Sequence, residues 1–161
     1  MKKIFKTIAM MTMSVGLLFS LSGCLLQPQD EVLNSLGSYK SREFYSSGGF
    51  QDFTDYAKYG YDTVEFDGNT HFQKIRENDL PEIYRHLDDF EGWIETIGNG
   101  EKDNEVVANF DFDSALIDLE DVFYLYSEES AWSDGYTSLV NYTFYFCDSQ
   151  TCILYYFHNN I

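Results

Sequence analysis

Basic residues are scarce in this chain: its 161 residues include ten Lys and Arg against 27 Asp and Glu, with only three His. So acidic a body repels nucleic-acid phosphates, which excludes nucleic acid as an expected partner. The motifs of the common catalytic classes are also missing: there is no Gly-x-Ser-x-Gly elbow, no His-Glu-x-x-His helix and no glycine-rich phosphate loop. His71, His86 and His158 are scattered, and none has a neighbour at metal-ligand spacing. Cysteine occurs three times, and no internal repeat or low-complexity tract is visible. Aromatic residues, by contrast, are plentiful, with 14 Phe and 13 Tyr. Disordered chains avoid such a composition, so a folded unit is expected despite the charge.

The longest apolar run lies at the start. Lys2, Lys3 and Lys6 precede an uncharged stretch from Ile8 to Phe19, and Leu21-Ser22-Gly23-Cys24 closes it with small residues and a cysteine. This is the layout of a secretory signal. A retained transmembrane helix is the alternative, but only about 15 uncharged residues lie between Lys6 and the small-residue stop, where a span needs ~20. The closing Leu-Ser-Gly-Cys resembles the lipobox of bacterial lipoproteins. The resemblance implies that residues 1–23 are removed, that Cys24 becomes the N-terminus and carries the lipid, and that the protein is held at the cell membrane on its extracytoplasmic side. It covers the signal alone and implies no chemistry for the rest. Removing residues 1–23 from the 161 takes away three lysines and no acid, leaving 138 residues with seven bases against 27 acids, a balance of −20. That length suffices for one domain with a core.

Residues 24–49, with Pro28, several Ser and Gly48-Gly49, read as a lipidated end and flexible spacer, and 50–161 as a single globular domain. Phe50, Phe53, Tyr56 and Ala57 stand at helical spacing before Gly60. Segments 61–66 and 70–75 flank Asp67-Gly68-Asn69 and read as a short hairpin. The clearest element is a helix starting at Asp79-Leu80-Pro81-Glu82, a capping-box-like sequence. Leu80, Ile83, Tyr84, Leu87, Phe90, Ile94 and Ile97 make its apolar stripe, and Gly98-Asn99-Gly100 its stop. Alternation over Val106–Phe112 and the Val, Phe and Tyr content of 121–127, 139–147 and 152–159 predict strands, with 128–137 as a longer connection. The expected fold class is therefore α+β, with one or two helices packed on an antiparallel sheet of about four C-terminal strands.

Cys147 and Cys152 bracket a four-residue turn. In a regular hairpin they oppose each other at a separation that a disulfide tolerates, and an exported compartment favours oxidation. Two free buried thiols are the alternative. The same pairing puts Phe146, Phe144, Tyr142, Val140, Ile153, Tyr155 and Phe157 on a strongly apolar side. Asn141, Thr143, Tyr145, Tyr156 and His158 fall on the cysteine side, which is the candidate binding face or else the ordinary polar side of a one-sided sheet. Calcium is the one metal worth weighing. Glu65–Asn69 fails as an EF-hand loop, because Gly68 at the sixth place puts Thr63 first and Lys74 twelfth. Asp111, Asp113, Asp118, Glu120 and Asp121 form a second, weak set of candidate ligands, though such clusters are commonly solvated surface.

No cofactor is expected. The sequence leaves three function classes: an extracytoplasmic binding module for a basic or carbohydrate-like partner, an immunity or inhibitor lipoprotein against a cationic secreted toxin or peptide, and an envelope hydrolase using carboxylates that spacing does not single out. Beyond the membrane reached through the lipid on Cys24, the partner that fits the charge is a basic protein or peptide.

Overall fold

A computed structural model describes residues 30–49, 52–131 and 137–161. The signal segment, Cys24, Phe50 and residues 132–136 lie outside the described residues. The chain divides into two units, 1–34 and 35–161. In the first, a one-turn helix at Glu31–Asn34 is capped by Asp30, whose Oδ1 accepts from the amides of Val32 and Leu33.

The second unit is an α+β arrangement built on six antiparallel strands rather than about four. The strands are β1 (Ser41–Ser46), β2 (Phe53–Gly60), β3 (Gln73–Lys74), β4 (Val122–Ala131), β5 (Thr137–Asp148) and β6 (Ile153–Asn160), in the order β1-β2-β6-β5-β4-β3. The two extra strands on one side come from segments expected to be otherwise. Ser41–Ser46, placed in the spacer, is an edge strand, and residues 53–60, expected as a helix, are a strand between β1 and β6. The helical spacing there was a coincidence of burial: a strand with neighbours on both edges hides residues of both faces, so Thr54, Asp55, Tyr56 and Ala57 are all buried and the period-2 signal is lost. Of the expected 61–66/70–75 hairpin only Gln73–Lys74 pairs, with β4. Its turn is present, closed by the Asn69 amide on the Phe66 carbonyl, with Gly68 at φ 80°.

Helix α1 spans Leu80–Gly100 and buries Ile83, Leu87, Phe90 and Ile94, as the stripe predicts. Tyr84 instead faces solvent, and His86 takes a buried place. The expected cap is different too. Asp79 makes no cap bond; its carboxylate takes the backbone amide and guanidinium of Arg76. Gly98-Asn99-Gly100 continues the helix, which ends when the Glu101 amide bonds the Ile97 carbonyl. The expected strand at 106–112 is corrected to a short helix α2, Glu105–Asn109, followed by an extended segment. Asn104 explains the difference, because its side chain accepts from the Val106 amide and starts a helical turn. Phe110 and Phe112 then enter the core beside Phe90, Phe146 and Phe157.

The helices cover one face of the sheet, and it is the face read as apolar. Tyr142, Phe144, Phe146, Tyr155 and Phe157 are all buried against them.

Candidate functional site

The hairpin register differs from the expected one. Cys147 opposes Leu154, Tyr145 opposes Tyr156, Thr143 opposes His158 and Asn141 opposes Asn160. The slip is two residues, so every side chain stays on its expected face. Asp148 sets it: its carboxylate accepts from the amides of Gln150 and Thr151 and the Thr151 hydroxyl, making Asp148 the last strand residue and Ser149–Cys152 the loop. Cys152, with φ 55°, therefore sits in the turn and not opposite Cys147. Both cysteines are free, and the opposed-pair argument for a disulfide does not hold in this register. Burial, then the neighbouring Cys152, pushes the Cys147 thiol up to about 12. Iodoacetamide at neutral pH should thus label Cys152 in the folded protein and Cys147 only after unfolding, as read by mass spectrometry; equal native labelling would contradict the register.

The five residues proposed for binding share the face away from the helices, but their exposure is graded along the strands. Nearest the turn, Cys147 and Leu154 are 0% exposed, and Tyr145 is 3% exposed. Segment 61–74 folds over this end, with Phe72 ring-to-ring against Tyr145 at 6.3 Å and Tyr124 at 6.5 Å. Tyr145 is therefore corrected from candidate binding residue to packing residue. Farther from the turn Asn141, Thr143, Tyr156 and His158 are half-buried, on the face opposite the one that Leu80–Gly100 and Glu105–Asn109 cover.

Strand pairing carries this open half across the sheet. One row runs Ser46, Asp55, His158, Thr143, Tyr126, and the next Phe44, Ala57, Tyr156, Tyr145, Tyr124. At opposite edges stand two exposed rings, Tyr126 at the end of the first row and Phe44 at the end of the second, at 47% and 41%. Aromatic rings join the rows: Tyr145 to Tyr156 at 5.0 Å, Tyr156 to His158 at 6.1 Å, His158 to Phe53 at 5.1 Å. Thr143 Oγ1 lies 2.8 Å from His158 Nδ1. Burial lowers the pKa of His158 below its ordinary value, and burial raises that of Asp55 despite the Ser46 hydroxyl and the nearby imidazole. Asp55 Oδ1 and Asn141 Oδ1 are buried with no hydrogen-bond partner among the described residues. Both are acceptors. Asp55 was invisible to the sequence reading because a helix at 50–59 would not align it with His158, and the continuous burial of 54–57 leaves no alternation that would have placed it there.

Among the described residues there are two hydroxyl–imidazole pairs. On the open face Asp55 Oδ1 has no hydrogen-bond partner among the described residues and so does not orient His158, and no relay of three groups is assembled there. On the other side His86 Nδ1 donates to the Glu82 carbonyl at 2.8 Å, which leaves Nε2 to accept from Ser127 Oγ at 2.9 Å. That imidazole is 1% exposed and closed to substrate, so the pair pegs α1 to β4. The acids weighed for calcium are used locally. Asp111 holds Tyr56 and Lys58, Asp113 caps the turn at Ser114, Asp118 accepts from Glu120 and Gln150, Glu120 pairs with Lys74, and Asp121 accepts from Asp118 and Ser149. Among the described residues no three His, Cys, Asp or Glu side chains are placed to hold a metal ion, and no helix is long and apolar enough to cross a membrane.

Comparison with protein-family models, with curated proteins and with solved structures finds no match.

Proposed function

We propose that this protein is a lipid-anchored, extracytoplasmic binding module whose open sheet face receives a basic protein or peptide. The observation that carries the reading is the pair of unpartnered acceptors, Asp55 Oδ1 and Asn141 Oδ1, on a half-open aromatic face of an acidic body. Ammonium and guanidinium groups supply donors, and the rings of Tyr156, Phe53 and Tyr126 supply surfaces on which cations rest favourably. The charge balance supports the same partner. Lys40, Lys58, Lys74, Arg76 and Arg85 are each ion-paired with an acid of the same chain, so the field left over is that of the excess carboxylates. An immunity or inhibitor role is the form this binding takes when the partner is a cationic secreted toxin.

Anchoring rests on Leu21-Ser22-Gly23-Cys24. Two or more acyl chains hold a protein firmly at a bilayer. Labelled palmitate should enter the wild-type chain and not Cys24→Ala; equal incorporation would remove the anchor from the account. For binding, capture from the organism's secreted and envelope fractions at low salt should yield basic proteins. Their association with the domain should slow as the screening length falls from about 10 Å at 0.1 M salt to about 3 Å at 1 M. Tyr156→Ala should weaken capture without lowering the unfolding midpoint appreciably. A salt-independent association, or capture that ignores Tyr156, contradicts the reading.

A further inference from the structure

A second feature lies on the helix side of the sheet, away from the open face. The C-terminal half of α1 stands off from the ends of β2 and β6, leaving a cavity of about 350 Å³, within the ~300–1,000 Å³ typical of small-molecule sites. Its floor is Asn159, which is 1% exposed. Thr54 Oγ1 donates to Asn159 Oδ1 at 2.8 Å and so fixes the amide plane. The amide nitrogen, Nδ2, is buried with no hydrogen-bond partner among the described residues. A buried donor left in this state is costly, so a ligand acceptor placed against it is favoured.

The walls restrict what the acceptor can belong to. Trp93 is half-buried along one side, with Ile97 and Ile161 adding apolar surface. Asp52 and Glu101 line the cavity as well. Their carboxylates, on a chain already rich in negative charge, repel an anionic ligand. An ammonium pairs with these acids but leaves the Asn159 donor unmet. What fits is a neutral ligand with a flat C–H face for the indole, an uncharged acceptor for Asn159, and hydroxyl donors for the two acids. These are together the features of a pyranose sugar ring.

We propose that the cleft between α1 and the β2–β6 end is a binding site for a neutral sugar ring, with Trp93 as the stacking surface and Asn159 as the hydrogen-bond donor. The cleft shares Phe53 with the basic-partner face, but its stacking ring and its donor, Trp93 and Asn159, belong to the helix side, so either site can fail without the other.

The test uses the full-length chain in detergent micelles, ¹⁵N-labelled, with N-acetylglucosamine as the probe and glucuronate and free lysine as controls. The Trp93 indole N–H peak, identified by its loss in Trp93→Phe, and the Asn159 side-chain NH₂ pair should shift saturably, with a Kd of about millimolar order. Glucuronate should bind about tenfold more weakly or worse, because its charge meets Asp52 and Glu101. Trp93→Ala should weaken the sugar about tenfold with an unchanged unfolding midpoint. Asn159→Ser, which keeps a polar group at the floor, should weaken it as well. Four results would overturn the site: no shift at either residue, shifts at Tyr156 and His158 instead, equal or tighter binding of glucuronate or lysine, or sugar affinity unchanged in Trp93→Ala.

Discussion

Phe157→Ala should lower the unfolding free energy by about 3–5 kcal/mol, the cost of removing a fully enclosed aromatic ring and leaving its cavity. Among the described residues its ring meets four others, each on a different segment. Its ring lies 5.7 Å from Tyr56 on β2, 5.4 Å from Phe144 on β5, 5.3 Å from Phe90 on α1 and 5.0 Å from Phe112 in the segment after α2. The residue is 0% exposed. Removing it therefore opens a void bounded by α1, the segment after α2, and strands β2, β5 and β6. Phe157→Leu, keeping most of the volume, should cost about 1.5 kcal/mol or less. Urea unfolding followed by circular dichroism reads both. If Phe157→Ala costs no more than Phe157→Leu, the helices do not pack on this face.

The second large effect is expected at Asp121, from a hydrogen-bond clip rather than from packing. This residue is 1% exposed, just before β4, and its carboxylate accepts from the Asp118 amide at 3.0 Å and from the amide and hydroxyl of Ser149 at 2.9 and 3.0 Å. It thereby ties the start of β4 to the β5–β6 turn. Asp121→Ala strands these donors. Bonds to charged acceptors contribute about 1.5–3 kcal/mol each and do not add, so a total loss of about 3 kcal/mol is expected. Asp121→Asn, which keeps one acceptor oxygen, should lose about half as much. Hydrogen exchange at the Ser149 amide should accelerate in both variants more than at Phe144, as the turn loosens before the core does. Equal stability of Asp121→Ala and wild type, measured across a calcium titration, would mean the carboxylate is not the clip described here.

How much of this was legible in the sequence depended on how each element is buried. Helix α1 has one wet and one dry side, so its stripe stood out, and only His86 and Tyr84 were exchanged across the boundary. The β5–β6 hairpin alternates cleanly, so the face directed at the helices was identified residue by residue, and a two-residue slip in register left that assignment intact. Strand β2 hides both faces and carried no usable period. In α2 a single Asn104 cap overrides the alternation of Val106 to Phe112, a local hydrogen bond that a hydropathy pattern does not register. The candidate site inherits these failures. Thr143, Tyr156 and His158 were found because they sit on the legible hairpin; Asp55 was missed because it comes from β2. Tyr145 was misassigned because the cover over its ring, Phe72, comes from a loop with no regular structure to announce it.

Acidity alone does not single out the open face, because the outer side of α1 also carries Glu82, Asp88, Glu91 and Glu95. The direct test is amide chemical-shift mapping of the ¹⁵N-labelled chain with a lysine-rich peptide at low salt. The account predicts perturbations centred on Asp55, Asn141, Thr143, Tyr156 and His158, weakened in Asp55→Asn. Perturbations that follow the acids of α1, with β5 and β6 unmoved, would contradict it.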